Sequence, residues 1–363
     1  MNNLAIIGAG NAGTTIAAHL KKLGQKVSLF DVVESQLKPI IQNNNTINLT
    51  GNINITGEAK IDLITMDLAE AVDNAEIIIC TTPAHVHKIV ARNLAPILKD
   101  GQIIVLNPGR TGGVLEVRKI LKEQNCKADV TVVETQTILY ACRKTDATVK
   151  VFGTKQHVTC AGLPKKSMPN FFKIIQSIFP EFIPSENGIW GTSLNNIGML
   201  FHPTPTLLNL GRMESQQEYD YYIEGVTPSI AYLIEKLDIE RLNVAKALGI
   251  KLPTVIEWLK STYNTHGNSL HKALQNNQAY YGIKAPKLVD INAKKSLRYV
   301  VEDVPTGLVP VSELGKKLGI LTPAIDTIIS IANLMFDTDF RAIGRTLKQL
   351  GLENMSLEEI KRL

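Results

Sequence analysis

The sequence predicts an α/β protein, with a mainly parallel sheet covered by helices in its first half and an all-helical domain after it. Three observations carry that expectation. Short β-branched runs alternate with helical stretches in the first half, as strands laid parallel under crossover helices require. From about Trp190 onward, helical periodicity takes over and clear strand patterns cease. The chain has 363 residues, more than one core of ordinary size holds, so two domains are the natural division.

The first strand is Leu4–Ile7, and it runs straight into Gly8-Ala9-Gly10-Asn11-Ala12-Gly13 and an amphipathic helix over Thr14–Leu23. A second strand, Lys26–Phe30, ends on Asp31. A lone G-x-G-x-x-G is weak, but strand, glycines, helix and an acid about 20 residues on form a dinucleotide-binding arrangement. Gly8 permits the tight turn, Gly10 lets the backbone approach a pyrophosphate, and Gly13 lets the helix pack closely on the sheet. The helix N-terminus, with Asn11 and Ala12, offers free N–H groups to the anion. Asp31 would accept from the adenosine ribose hydroxyls and repel a 2′-phosphate. No Arg follows immediately, so NAD is expected, with NADP still allowed. This makes the first domain Rossmann-type; a nucleotide-free fold with incidental glycines is the competing explanation.

Gln42–Gly57, rich in Asn and Thr, reads as a loop or edge hairpin. The third strand, Ile77–Thr81, leads through Thr81-Thr82-Pro83-Ala84 into a helix over Ala84–Leu98. The fourth, Ile103–Asn107, leads into Asn107-Pro108-Gly109-Arg110-Thr111-Gly112-Gly113. Ligands lie beyond the carboxyl ends of such strands, so Thr82, Pro83, Asn107, Gly109 and Arg110 are expected beside the dinucleotide. Ordinary turn chemistry explains the prolines equally well. A fifth strand, Thr131–Glu134, precedes an expected hairpin of Thr148–Phe152 with His157–Ala161, turned by Gly153–Gln156, and a helix near Met168–Phe179. The Pro-containing stretch Phe179–Gly188 marks the boundary, giving domains 1–185 and 186–363. Helical periodicity then covers Ile230–Leu248, Thr254–Tyr263 and Pro323–Met335.

Composition excludes several function classes. Hydrophobic residues make up 44% and charged residues 20%, ordinary for a globular protein. The net charge of +5 is mild, and no Lys/Arg block interleaved with aromatics marks a nucleic-acid surface. Cys80, Cys126, Cys142 and Cys160 stand far apart without a C-x-x-C pair, as inert thiols in a reducing compartment do. No basic leader with a cleavage site opens the chain, and no apolar run approaches the roughly 18 residues of a membrane span. A cytoplasmic protein is expected.

Hydride transfer leaves a protein to supply a proton, orient the substrate and neutralise its carboxylates. Histidine suits the first task. Of the seven, His19, His85, His87, His157, His266 and His271 read as surface or satisfied residues. His202 differs: it closes Asn195-Asn196-Ile197-Gly198-Met199-Leu200-Phe201 and precedes Pro203-Thr204-Pro205, a proline-fixed turn just past the boundary. On pattern alone, a core or surface histidine weighs evenly against a catalytic one. Arg298 and Asp303, in Arg298-Tyr299-Val300-Val301-Glu302-Asp303-Val304-Pro305, read first as solvated charges or a structural ion pair. The functional alternative is a guanidinium gripping a carboxylate and an acid holding a histidine tautomer.

At these residues the chain resembles the octopine/nopaline (opine) dehydrogenase family. The resemblance takes in the glycine motif, Thr81–Ala84, Asn107–Gly113, Glu134-Thr135-Gln136 with Tyr140-Ala141-Cys142-Arg143, Asn195–Pro205 and Arg298–Pro310. The last two segments are the specific ones. The resemblance implies a Rossmann domain joined to a helical domain, with the substrate between them. It implies that His202 is the acid/base, Asp303 its partner and Arg298 the carboxylate clamp, with Arg143, Asn195 and Tyr281 as weaker candidates for the substrate wall. The implied partners are a 2-oxo acid and an amino acid, which condense to an imine that NAD(P)H reduces. A homodimer is an assembly the sequence allows. Two other functions stay open: a 2-oxo acid or 2-dehydropantoate-type reductase needing no amine, and a non-catalytic nucleotide sensor.

Overall fold

Near-continuous apolar runs become the centre of a sheet, because a strand covered on both faces has no side left for polar residues. The strands are β1 (Asn3–Ile7), β2 (Lys26–Phe30), β3 (Thr46–Gly51), β4 (Gly57–Lys60), β5 (Leu63–Thr65), β6 (Ile77–Cys80), β7 (Ile103–Leu106), β8 (Thr131–Thr135), β9 (Tyr140–Thr145), β10 (Thr148–Thr154), β11 (Val158–Leu163) and β12 (Phe182–Pro184). All residues of β6, β7 and β8 are buried. The computed structural model describes residues 2–288 and 296–363, which divide into two compact units, Met1–Thr192 and Ser193–Leu363.

In the first unit an eight-stranded sheet runs in the order β12-β11-β8-β7-β6-β1-β2-β5. Ile6 faces Leu29 on one side and Ile79 on the other, and Ile79 continues to Val105 and Val133. Every pairing is parallel except β8 with β11. Because β1 lies between β2 and β6, the strand order reverses there, and the crevice at the carboxyl ends of β1 and β6 is the switch point where ligands bind.

The helices covering this sheet are α1 (Asn11–Lys22), α2 (Glu34–Gln42), α3 (Leu68–Val72), α4 (His87–Leu94), α5 (Gly113–Glu123) and α6 (Met168–Ile175), with α7 (Gly188–Leu194) at the end of the unit. A second sheet, in the order β4-β3-β10-β9, packs on the far side of α1. This explains why Gly13 through Leu20 are all buried in that helix.

The second sheet corrects the expected hairpin. Thr148–Thr154 turns back on Tyr140–Thr145, not on the strand after it, and β11 joins the main sheet beside β8. Asp146, at φ 52°, makes the tight reversal, whereas Gly153 sits at a bulge. The Asn/Thr-rich stretch does form a hairpin, β3 with β4, but β3 is internal to its sheet, paired in parallel with β10. The stretch Phe179–Gly188 holds β12, which pairs with β11. The α6 helix stops at Ile175, short of Phe179, whose ring is buried against Phe182 at 5.4 Å.

The second unit is helical, and an isolated bridge between Asp220 and Lys284 is its strand-like pairing among the described residues. Its helices include α8 (Gly198–Phe201), α9 (Pro203–Leu208), α10 (Leu210–Glu214), α11 (Pro228–Ala247), α12 (Val255–Tyr263), α13 (Leu270–Gln275) and α14 (Arg298–Val301). A π-helical segment, Val304–Leu308, follows, then α15 (Val309–Leu318) and α16 (Pro323–Phe336). Thr227 caps α11 at Ile230, and Thr254 with Glu257 forms a capping box on α12. The fully buried Arg241 pairs with Asp238 at 2.6 Å and donates to the carbonyls of Leu194 and Pro253. Removing either charge would strand the other without water. No helix of the described residues is long and apolar enough to cross a membrane.

Candidate active site

The glycine loop closes the carboxyl end of β1. Gly8 has φ +103°, and a Cβ there would meet Thr81 Oγ1 at 2.9 Å. That hydroxyl instead donates to the carbonyls of Ile7 and Gly8, tying β6 to the loop. At Gly13 a Cβ would lie 1.8 Å from the Gly8 carbonyl oxygen, so the first turn of α1 packs on the loop only because this residue is glycine. Around Gly10 nothing stands within 4 Å of where a Cβ would be. Gly10 is also the N-cap of α1, and no side chain caps it. An open approach in front of uncapped N–H groups, with the helix dipole behind them, is what a pyrophosphate needs.

Asp31 lies at the end of β2, its carboxylate accepting from Ala9 N–H at 2.6 Å and Val33 N–H at 2.9 Å. Asn11 and Ala12 form the first turn of α1. Thr82 and Pro83 follow β6, and Thr82 would touch a Cβ on Gly8 at 3.4 Å. Asn107 follows β7 and is fully buried, yet neither polar atom of its side chain has a partner among the described residues. The buried Thr82 hydroxyl lacks one too. Buried polar groups are ordinarily satisfied, so these two at the ends of β6 and β7 suit a polar ligand at the switch point. The residues present therefore fit a nicotinamide dinucleotide.

Gly109 and Arg110 follow, Arg110 at φ 59°. A Cβ on Gly109 would press on Glu134 at 2.4 Å. Glu134 is itself fully buried, accepting from Val114 N–H at 3.0 Å and Thr192 Oγ1 at 2.6 Å. This carboxylate, part of a motif noticed in the sequence, thus anchors the start of α5 and the loop before it.

In the second unit, His202 ends α8 and Asp303 precedes the π-helical segment. Their side chains meet, His202 Nδ1 to Asp303 Oδ2 at 2.7 Å. Gly307 allows the approach, since a Cβ there would come within 2.6 Å of Met199 Cβ on α8. Asp303 is 1% exposed and His202 18%. With Nδ1 facing a carboxylate, the imidazole proton of the neutral form belongs on Nδ1 and the Nε2 lone pair is left available. Nε2 has no hydrogen-bond partner among the described residues.

Tyrosines frame the histidine, and sequence patterns missed them. Tyr299 stacks on the imidazole, 4.3 Å between centroids and 11° between planes. Tyr221 donates its hydroxyl to the His202 carbonyl at 2.8 Å and meets Thr206 Oγ1 at 2.7 Å. Burial first, then neighbouring phenols and Asp303, push the Tyr221 pKa well above its ordinary value, so it remains a donor. Arg298, five residues before Asp303, is half exposed, and its Nε donates to the buried Glu302, one turn on, at 2.5 Å. That pair supplies the structural ion pair anticipated as the alternative, with Glu302 rather than Asp303 as the acid.

Asn195 links α7 to α8. Tyr281 is 47% exposed with its hydroxyl on the Gln275 carbonyl, while the adjacent Tyr280 is buried and stacked on Tyr222 at 4.3 Å. Arg143 lies on the exposed face of β9; its neighbour Lys144 faces the glycine loop. Of the remaining histidines, His19 meets the Tyr140 hydroxyl at 2.5 Å with its pKa lowered by burial, and His271 meets the Val226 carbonyl.

A sheet with a glycine loop at its switch point, and a helical unit carrying a His–Asp pair, define a nicotinamide-dependent oxidoreductase. The family described as NAD/NADP octopine/nopaline dehydrogenase, alpha-helical domain, matches residues 185–336, and the NAD-dependent glycerol-3-phosphate dehydrogenase N-terminus matches residues 3–135. An opine dehydrogenase of Arthrobacter sp. (strain 1C) is 40% identical over 358 residues, covering 98% of this chain and 97% of that protein. The octopine dehydrogenase of Pecten maximus is 24% identical, covering 79% of this chain and 76% of its own. Among solved structures, octopine dehydrogenase with NADH and L-arginine has a TM-score of 0.80 at 19% identity, covering 99% of this chain and 98% of that one. The chain belongs to the opine dehydrogenase family. It is an NAD(P)-dependent oxidoreductase acting on CH–NH donors, which reductively condenses a 2-oxo acid with the amino group of an amino acid.

Proposed function

We propose that His202 is the acid–base residue of this reaction, that Asp303 fixes its tautomer, and that Arg298 receives the carboxylate of the 2-oxo acid. The observation that carries this is the 2.7 Å contact between His202 Nδ1 and the buried Asp303 carboxylate, which leaves Nε2 as the working nitrogen. Pyruvate is the 2-oxo acid we favour, since a solved octopine dehydrogenase with a TM-score of 0.77 to this chain holds NADH and pyruvate.

An amino acid arrives as an ammonium and must lose a proton before it can attack a carbonyl. His202 Nε2 accepts that proton, and Asp303 stabilises the imidazolium that results. The amine adds to the carbonyl carbon, and His202 returns a proton to the departing oxygen, so water leaves and an imine forms. When bound, the coenzyme would supply a hydride to the carbon of the protonated imine, which completes the secondary amine. Tyr299, stacked on the ring, and Tyr221, bonded to the His202 carbonyl, keep the imidazole plane and main chain in place through these transfers.

For the coenzyme, Gly8, Gly10, Asn11, Ala12 and Gly13 would seat the pyrophosphate and Asp31 the adenosine ribose, with Thr82, Pro83, Asn107, Gly109 and Arg110 along its nicotinamide half. NADH is the proposed physiological reductant, because Asp31 presents a negative charge where NADPH carries its 2′-phosphate. The test is His202→Ala: NADH binding by fluorescence titration should be retained, while turnover falls by roughly 10²–10⁴-fold, the usual worth of a general acid–base group. Near-normal turnover would sink the assignment.

A further inference from the structure

Ala9, between the first two glycines of the loop, is gripped on both sides of its backbone. Its N–H donates to Asp31 Oδ2 at 2.6 Å, and its carbonyl accepts from Lys144 Nζ at 2.9 Å. Lys144 comes from β9 of the small sheet, far along the chain from the loop. Its ammonium also donates to the Gln36 carbonyl on α2 at 2.6 Å, and its main-chain N–H to Asn11 Oδ1 at 2.9 Å. The half-buried cation thus joins the glycine loop to α2, while the main chain of the same residue ties β9 to the first residue of α1. Burial lowers its pKa, while the charges of Asp31 and Asp146 hold it up. Beside it opens a cavity of about 260 Å³, lined by Asn11, Ser35, Gln36, Pro39, Lys144 and Asp146. That is room for several water molecules of ~30 Å³ each.

We propose that this cavity is a subsite for the 2′-phosphate of NADPH and that Lys144 is the residue that tunes coenzyme preference. The inference rests on the assignment of Asp31 to the adenosine ribose. Taken alone, Asp31 would reject a phosphate on the neighbouring hydroxyl. Lys144 touches the same loop residue through its carbonyl and places a positive charge within electrostatic reach of that carboxylate, which attracts the phosphate and offsets the repulsion. Asp146 lines the same cavity and opposes it, so compensation is partial: NADH binds more tightly and NADPH is still accepted. The hydroxyl of Ser35, in the first turn of α2, adds a neutral donor.

The test is the ratio of NADPH to NADH dissociation constants, measured by nucleotide fluorescence on the intact protein. Lys144→Met should weaken NADPH roughly tenfold more than NADH, the worth of one charge-assisted contact. Asp146→Asn acts in the opposite direction, tightening NADPH relative to NADH about threefold, as expected for a partly exposed charge. Asparagine suits the left-handed backbone at this turn, φ 52°, so the second variant folds whatever Lys144→Met does. Equal weakening of both nucleotides by Lys144→Met, or an unchanged ratio in Asp146→Asn, would overturn the proposal. If the unaltered chain bound neither nucleotide, the coenzyme site itself would be misassigned and the inference would fall with it.

Discussion

Asp303→Asn isolates the charge of the His–Asp pair while keeping its shape. Asp303 is 1% exposed and meets His202 Nδ1 at 2.7 Å, the distance of a charge-assisted hydrogen bond. Such a bond contributes about 1.5–3 kcal/mol beyond its hydration, and at about 1.4 kcal/mol per decade that is roughly 10- to 150-fold in rate. This is the loss if the amide oxygen still accepts from Nδ1–H. If the amide turns its NH₂ toward the ring, Nδ1 must become the acceptor and the proton moves to Nε2. The histidine then cannot take a proton from the substrate ammonium, and the loss approaches the full ~10⁴-fold of general base catalysis. Steady-state kcat/KM for NADH oxidation, with both organic substrates present, should therefore fall at least tenfold. The NADH dissociation constant, set by the first unit, should stay where it is. A change in kcat/KM smaller than threefold would refute the claim that Asp303 works through His202.

Replacing Arg298 with Met should chiefly raise KM for the 2-oxo acid, by roughly 10- to 100-fold, with a smaller effect on the amino acid. An unchanged dependence on oxo acid concentration would leave Arg298 as the partner of Glu302 and nothing more. Gly13→Ala forces a Cβ within 1.8 Å of a backbone oxygen, a clash the loop can relieve only by moving. Thermal melting should show a loss of at least about 3 kcal/mol. Gly10→Ala, which meets nothing within 4 Å, should melt normally yet bind NADH more weakly, because its methyl occupies the pyrophosphate approach.

What the sequence revealed of this fold follows from how each element is buried. Residues Ile77–Cys80 and Ile103–Leu106 are covered on both faces, so they stand out as unbroken apolar runs. The glycine loop and Asp31 are local in sequence, and their spacing together with the flanking strand and helix patterns made them candidates. The second sheet stayed hidden because its edge strands are half exposed: Tyr140–Thr145 alternates buried with exposed residues and carries Arg143 and Lys144. Without that strand, Gly153 was the natural turn, and the true reversal at Asp146 carries no glycine. β12 is only Phe182–Pro184, and proline argues against a strand unless its ladder position is an edge, as it is here.

The site was legible to a similar degree. His202 and Asp303 were each noticed from local pattern and given roles by family resemblance, but their contact joins residues 101 apart, which no local pattern encodes. Tyr299 and Glu302 sat inside a segment noticed for Arg298 and Asp303 and drew no reading of their own. Tyr299 gains its place by stacking on His202, and Glu302 by pairing with Arg298 four residues before it. Lys144 lay one residue from Arg143, and strand alternation, once the strand is known, decides which of the two faces the loop.

The most direct test of the central claim is NADH oxidation with pyruvate, followed with and without a panel of amino acids. The account predicts oxidation that requires both, with a product carrying the two carboxylates on one secondary amine. Oxidation by pyruvate alone, at the same rate whether or not an amino acid is present, would contradict it.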